Sequence, residues 1–266
     1  EGEMGRNTSI SVPGPVKVYN SVGVYRKQFR LVRSKRHILT FLGVSSAVQV
    51  YVNGRYVGYS EGSHNSAEFD ITDMIIDGPN EIVALVYKWC NGTYLECQDM
   101  FRNTGIFRDV YITSYESSYI HDYFVKTKRL DNGNWLVEVE CDAVLEPKAE
   151  IFYELYDGER LISRNQGEKT MLGINNAKLW SAEIPHLYTL YIYIKRSTKT
   201  IFAVKQELGL RDIHIENAVF YFNNKPIKLK GVNHHDTNPS TGYYMTPEDY
   251  VQDLTLMKEL NMNAIR

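Results

Sequence analysis

From residue 25 to residue 217 the sequence repeats one signature, short apolar-alternating segments parted by turn residues, and after Ala218 the periodicity changes. Near the end, Ile227-Lys-Leu-Lys-Gly-Val-Asn-His-His-Asp236 reads as a strand running into a polar loop. Thr246-Pro-Glu-Asp249 then starts a helix, with Thr at the N-cap, Pro at the first helical position and acids in the first turn. Val251, Leu254, Met257 and Leu260 follow at helical spacing, and Asn263-Ala-Ile-Arg266 opens another apolar segment. A strand, a loop and a helix bury themselves only within a larger parallel sheet, and in α/β barrels the loop after each strand is where ligands sit. The chain must therefore combine all-β cores with the opening of a β/α domain, and as it stands it begins an active site without completing it.

The β part divides in two. In the first block Val48, Val50 and Val52 alternate, Asn53-Gly54 supplies the two positive-φ residues of a tight hairpin, and Tyr56-Val-Gly-Tyr59 returns. Asp77-Gly-Pro-Asn80 turns into a strand at 81–87, and 105–112 reads as one further strand. Short strands with frequent turns predict a β-sandwich or jelly roll over residues 1–117. The second block has strands predicted at 135–141, at 150–156 turning at Asp157-Gly158, at 187–194 and at 201–208. About a hundred residues with this spacing fit an immunoglobulin-like sandwich over 118–217, a spacer or support, although the Cys…Trp…Cys spacing of antibody domains is absent. The remaining block, 218–266, begins with a hairpin turning near Asn223-Asn224.

At 266 residues the chain exceeds the usual single-domain size, and 43% hydrophobic residues suffice for more than one core. A net charge of −2 with dispersed Lys and Arg gives no basic face for nucleic acid. No apolar run approaches the roughly 18 residues of a membrane span, and Glu1 begins no signal-peptide pattern. Cys90, Cys97 and Cys141 are odd in number and lack zinc spacing, which fits reduced thiols in the cytoplasm, or a periplasmic protein if a signal peptide has been removed. Asn7-Thr-Ser and Asn91-Gly-Thr match the glycosylation pattern, a match too short to carry weight.

Two loops concentrate chemistry. Asn233-His-His-Asp-Thr-Asn238 offers imidazole, carboxylate and amide groups, the donors and acceptors that a polyhydroxylated ligand needs when its hydroxyls are buried. On an extended backbone adjacent side chains point oppositely, so one of His234 and His235 faces a pocket. Tyr94-Leu-Glu-Cys-Gln-Asp-Met-Phe-Arg102 interleaves acids with aromatics, which suits stacking on sugar faces beside carboxylates that accept from hydroxyls. Against this, both stretches read equally well as solvated polar loops, with Arg102, Arg108 and Asp109 in weak surface ion pairs. Glycoside hydrolysis usually needs two carboxylates about 5 to 9.5 Å apart. Glu96 with Asp99, or Asp236, are candidates for which spacing establishes no partner, and no phosphate loop, nucleophile elbow or His-Glu-x-x-His is present.

Three blocks taken together resemble a known family. Asp99-Met-Phe-Arg-Asn-Thr-Gly-Ile-Phe-Arg-Asp109, Leu179-Trp-Ser-Ala-Glu-Ile-Pro-His-Leu-Tyr188, and Gly231-Val-Asn-His-His-Asp with Met257-Lys and Asn263-Ala-Ile-Arg266 are similar to the bacterial β-galactosidases of glycoside hydrolase family 2. The resemblance implies a jelly-roll sugar-binding domain, an immunoglobulin-like domain and the first βα unit of a truncated TIM barrel. It implies a retaining enzyme that hydrolyses terminal β-D-galactosides such as lactose. Asn20 then corresponds to an asparagine contacting a galactosyl hydroxyl, Asp99 to an aspartate binding both galactose and a sodium ion, and His235 to a histidine contacting the transition state. The catalytic glutamates and the Mg2+ ligands of the family lie on later barrel strands, so this chain alone is expected to be inactive. The full-length protein is expected to be a homo-oligomer. Departures exist: Pro13-Gly-Pro15 stands where a longer aromatic stretch is usual, which bears on the placement of Asn20; Cys97 replaces a common acid; and Phe101 replaces the usual Trp, keeping a stacking face without the indole donor. The same domain order also fits a β-glucuronidase or β-mannosidase. Beyond enzymes, the chain could serve as a non-catalytic carbohydrate-binding module or as a folding and assembly platform.

Overall fold

The computed structural model describes residues 20–96 and 100–266. They fall into two compact units, one formed by the residues up to Tyr115 with His234–Leu256, the other by Glu116–Asn233 with Met257–Arg266.

The first unit is a jelly-roll-like sandwich. Strands β1 (Val22–Leu31), β2 (Arg36–Phe41), β3 (Val44–Ser45), β4 (Ala47–Val52), β5 (Arg55–Glu61), β6 (Ala67–Asp70), β7 (Gly78–Tyr87), β8 (Gly105–Ile106) and β9 (Val110–Tyr115) follow in order. They pair as a sheet β1-β7-β4-β5, a sheet β6-β2-β9 and the short pair β3-β8. The alternation in β4 does what its period requires: Val48, Val50 and Val52 point into a core shared with Leu39, Phe41, Phe69 and Ile71. The Asn53-Gly54 turn has φ of 51° and 76°, the left-handed values of a tight hairpin. Asn53 also donates to Asn80 Oδ1 at 2.8 Å and accepts from the Glu81 amide at 2.9 Å, so one turn residue pins the start of β7.

The strand predicted over 105–112 is broken. β8 ends at Ile106, β9 begins at Val110, and between them the Phe107 amide reaches Gly43 O while Asp109 O accepts from Leu42. The interruption turns the Phe107 ring and the Arg108 guanidinium away from the ladder, where they meet other partners.

The second unit holds a seven-stranded sandwich of immunoglobulin-like order. Its strands are β10 (Tyr119–Arg129), β11 (Trp135–Val144), β12 (Ala149–Asp157), β13 (Arg160–Gln166), β14 (Lys169–Ile174), β15 (Tyr188–Arg196) and β16 (Lys199–Leu208). The sheets β10-β11-β14 and β13-β12-β15-β16 close over Trp135, Tyr153, Leu155, Leu190 and Ile192. Burial drives the Cys141 thiol and the Tyr153 phenol, which hydrogen-bond each other at 3.2 Å, above their ordinary values. Cys141 is therefore a core residue in its neutral form.

β17 (Ile213–Glu216), β18 (Val219–Phe222) and β19 (Lys225–Pro226) follow as a meander whose second turn is Asn223-Asn224, at φ of 51° and 62°. The Asn223 side chain donates to Trp180 O at 2.9 Å and accepts from the Asp212 amide at 3.0 Å, tying this hairpin to the Leu179-Trp180 segment. The arm after Asn224 is short, and the backbone forms a new strand only at β20 (Gly231–Val232). That strand pairs in parallel with β21 (Ala264–Ile265) across the intervening helix α1 (Pro247–Glu259), a βαβ connection.

Candidate functional site

The helix start is built as the sequence demands. Asp249 Oδ2 accepts from the Thr246 amide at 2.8 Å, and the Thr246 hydroxyl accepts from the Asp249 amide at 3.3 Å, a reciprocal cap. Those main-chain and hydroxyl donors hold the Asp249 carboxyl below its ordinary range. Asp249 Oδ1 also takes a bond from Asn238 at 3.1 Å, and Asn238 Oδ1 accepts from the Ser240 amide, so the helix N-terminus braces the polar loop before it.

Within that loop the two histidines differ sharply. His234 is a locked residue: its Nε2–H donates to Asp253 Oδ2 at 2.9 Å and its Nδ1 lies 3.4 Å from Asp236 Oδ1. Asp236 in turn accepts from Tyr250 at 3.3 Å and lies 3.8 Å from Arg108 of the sandwich. His235 is exposed, and its carbonyl accepts from the Thr237 amide at 2.8 Å. His234 is thus spent on carboxylates, while the His235 ring is presented to solvent.

The loop lies against the sandwich segment after Met100. Tyr243, 5% exposed, donates its hydroxyl to Phe101 O. Its ring meets His64 and Phe107 edge-on at 5.2 and 5.3 Å, and those two rings contact each other at 5.2 Å with their planes tilted by 52°. Burial and the nearby Arg108 charge keep the His64 imidazole neutral to lower pH than usual. Phe101 itself is 80% exposed, with Tyr94 and Leu95 also open, so the acid-and-aromatic segment offers ring faces at the surface.

The remaining candidates are placed as follows. Asn20 donates to Trp89 O at 2.8 Å and accepts from the Trp89 amide at 2.9 Å, which leaves one N–H and one lone pair for a ligand. Asp99 and Cys97 lie outside the described residues. Glu96 turns inward, accepting from the Ser63 hydroxyl at 2.5 Å and its amide at 3.2 Å. Arg108 pairs with Asp236 and not with Asp109. Among the described residues no group of three or more His, Cys, Asp or Glu converges as a metal cage. Ser45, Ser63, His64 and Tyr243, which knit these loops together, carry no signal of that role in the sequence. Only the burial of a Tyr within a polar loop would have pointed to one of them.

A sandwich bearing exposed aromatics, a second sandwich and the first βα turn of a parallel sheet define a modular carbohydrate-active architecture. Family models match along nearly all of the chain: the sugar binding domain of glycosyl hydrolases family 2 at residues 7–115, a further family 2 domain at 118–211, and the family 2 TIM barrel domain at 213–266. The chain belongs to glycoside hydrolase family 2. A β-galactosidase of Actinobacillus pleuropneumoniae is 40% identical over 97% of this chain, and one of Staphylococcus xylosus is 40% identical over 93%. The chain spans about a quarter of the length of these relatives, 26% and 25%. The Ruminococcus gnavus β-glucuronidase structure superimposes with a TM-score of 0.83 at 23% identity, over 93% of this chain and 45% of that one, a likeness of fold alone. No helix among the described residues is long and apolar enough to cross a membrane.

Proposed function

We propose that this chain is the substrate-binding N-terminal part of a retaining β-galactosidase acting on terminal β-D-galactosides such as lactose. The observation that carries the reading is the contrast within the histidine pair. His234 is immobilised between Asp236 and Asp253, and the neighbouring His235 is left exposed at the end of a parallel strand, beside a sandwich loop with open aromatic faces.

In this reading His235 donates a hydrogen bond to a galactosyl hydroxyl as charge develops at the anomeric carbon, an interaction that strengthens in the transition state. Phe101 stacks on the apolar face of the sugar. Asp99, with a sodium ion, and the uncommitted N–H of Asn20 hold other hydroxyls. None of these groups is a nucleophile or a general acid, so glutamates supplied by the rest of the barrel perform bond cleavage, with Mg2+ bound there. The curated relatives named β-galactosidase at 40% identity support this choice over a glucuronidase.

The test is hydrolysis by the whole protein of nitrophenyl β-D-galactoside against the corresponding glucuronide and mannoside. Preference for the galactoside, with kcat lowered at least about a hundredfold in His235→Ala, is expected. Preference for either other sugar would overturn the reading, as would a fully active His235→Ala enzyme.

A further inference from the structure

We propose that Tyr243 is a positioning residue that sets the sandwich half of the sugar site in register with the half that carries His235. The inference rests on the galactosidase reading for its functional consequence, and on contacts within the first unit for its geometry.

The segment His234–Leu256, every residue of which is described, contains one buried side chain, that of Tyr243. The chain reaches it through a tight turn in which Asn238 and Gly242 exchange main-chain hydrogen bonds at 2.8 and 2.9 Å. Gly242 adopts φ +69°, and a Cβ there would come within 3.0 Å of Asn103 Nδ2, so the turn is pressed directly on the sandwich loop. The next residue packs its ring against both His64 and Phe107, completing a three-ring cluster, and delivers its hydroxyl to Phe101 O.

The choice of acceptor is what separates this contact from ordinary packing. The hydroxyl holds the main chain of Phe101 and leaves the Phe101 ring 80% exposed. It thus fixes the backbone that carries the Phe101 ring without occupying a surface that a sugar would use. The ring cluster alone buries the anchor; the hydroxyl adds the register. His235 is held separately, by the clamp on its neighbour His234, so losing the hydroxyl should loosen the turn between Asn238 and Gly242 and, on the sandwich side of the site, the segment at Phe101, while leaving His235 in place. Contacts from that side act on the bound sugar in ground and transition states alike, and their loss appears in KM.

Tyr243→Phe keeps the ring against His64 and Phe107 and removes only the donor. In the whole protein, KM for nitrophenyl β-D-galactoside should rise about tenfold, the worth of one net hydrogen bond, with kcat within about twofold. In the 266-residue chain, hydrogen exchange at the Asn238, Gly242 and Phe107 amides should quicken several-fold while the unfolding midpoint hardly moves. An unchanged KM, or a loss carried by kcat, would overturn the proposal, and so would unchanged exchange. If the wild-type whole protein cleaves no β-galactoside, the functional reading fails by itself; the exchange result then decides the tie, faster exchange supporting it and unchanged exchange refuting it.

Discussion

His234 donates its Nε2–H to Asp253 Oδ2 at 2.9 Å, joining the loop after β20 to the second turn of α1. Asp236 closes on the other ring nitrogen at 3.4 Å, so the imidazole separates two carboxylates. Removing the ring leaves both acids without it and frees the loop from the helix. His234→Ala should lower the unfolding free energy of the chain by about 1 kcal/mol, a charged hydrogen bond discounted for partly exposed partners. His235→Ala should stay within about 0.5 kcal/mol of wild type, since the side chain is exposed. Urea titration of both variants checks this. In the whole protein the ranking by kcat should be the reverse, and a His235→Ala variant that is the less stable of the two would contradict the assignment.

His37 gives a second handle. It is fully buried, accepts from the Ser34 amide at Nε2 (2.9 Å), and its Nδ1–H therefore donates to Ser114 Oγ at 2.8 Å. Burial lowers its affinity for a proton, as it does for His64. The unfolded chain then binds the proton first. Stability from both groups is complete above the ordinary histidine value of about 6.5 and is lost as pH falls through their lowered folded values. Urea midpoints should fall from about pH 7 to pH 5, before the depressed carboxylates Asp70 and Asp249 contribute near or below pH 4. His37→Gln should be less stable at pH 7 and show a shallower decline; a wild-type midpoint that holds or rises on acidification would contradict the account.

Much of this architecture could be read from local chemistry, and the rest could not, for one physical reason. Asn53-Gly54, Asp157-Gly158, Asn223-Asn224 and the Thr246 cap are signals whose partners lie within a few residues, and each forms the predicted turn or helix start. β10 and β14 escaped because apolar Phe124 and Met171 stand at outward positions while polar Thr127 and Thr170 stand at inward ones, which blurs the apolar alternation. The composition of 105–112 suits a single strand. It breaks because Phe107 and Arg108 find partners in Tyr243 and Asp236, more than 120 residues away, which no window along the sequence contains. The polar loop was legible as chemistry; which histidine is free was not, since that depends on Asp253 and Asp236 closing around one ring.

Glu96 was a candidate catalytic carboxylate by residue type, and its surroundings argue for a structural role. Its carboxylate is held by the hydroxyl and amide of Ser63, and Ser63 also bonds Ser45 at 3.2 Å. Asp236 is likewise engaged by Tyr250, Arg108 and His234. With both acids committed, the chain alone should show no turnover of an aryl galactoside, and Glu96→Gln should cost roughly 1–2 kcal/mol of stability. Turnover by the 266-residue chain that disappears in Glu96→Gln, at unchanged stability, would show the carboxylate to be catalytic after all.

The apolar stripe of α1 supplies the last prediction. Tyr250, Asp249 and Asp253 face the polar loop and bond to it, which directs Val251 and Leu254 elsewhere, at 64% and 52% exposure. A leucine that buries little apolar area in the folded chain contributes little to its stability, so Leu254→Gln should move the unfolding free energy of the 266-residue chain by less than about 0.5 kcal/mol. If the helix is the first of a β/α barrel, as the galactosidase reading requires, the same side chain is covered in the whole protein. There the substitution puts an amide among apolar neighbours and should cost about 2 kcal/mol or more. Chemical unfolding of the variant in both contexts measures the difference directly. Equal small effects would mean that the stripe stays open in the whole protein and that the barrel reading of α1 is wrong, whereas a large cost already present in the 266-residue chain would mean that Leu254 is covered there without the barrel.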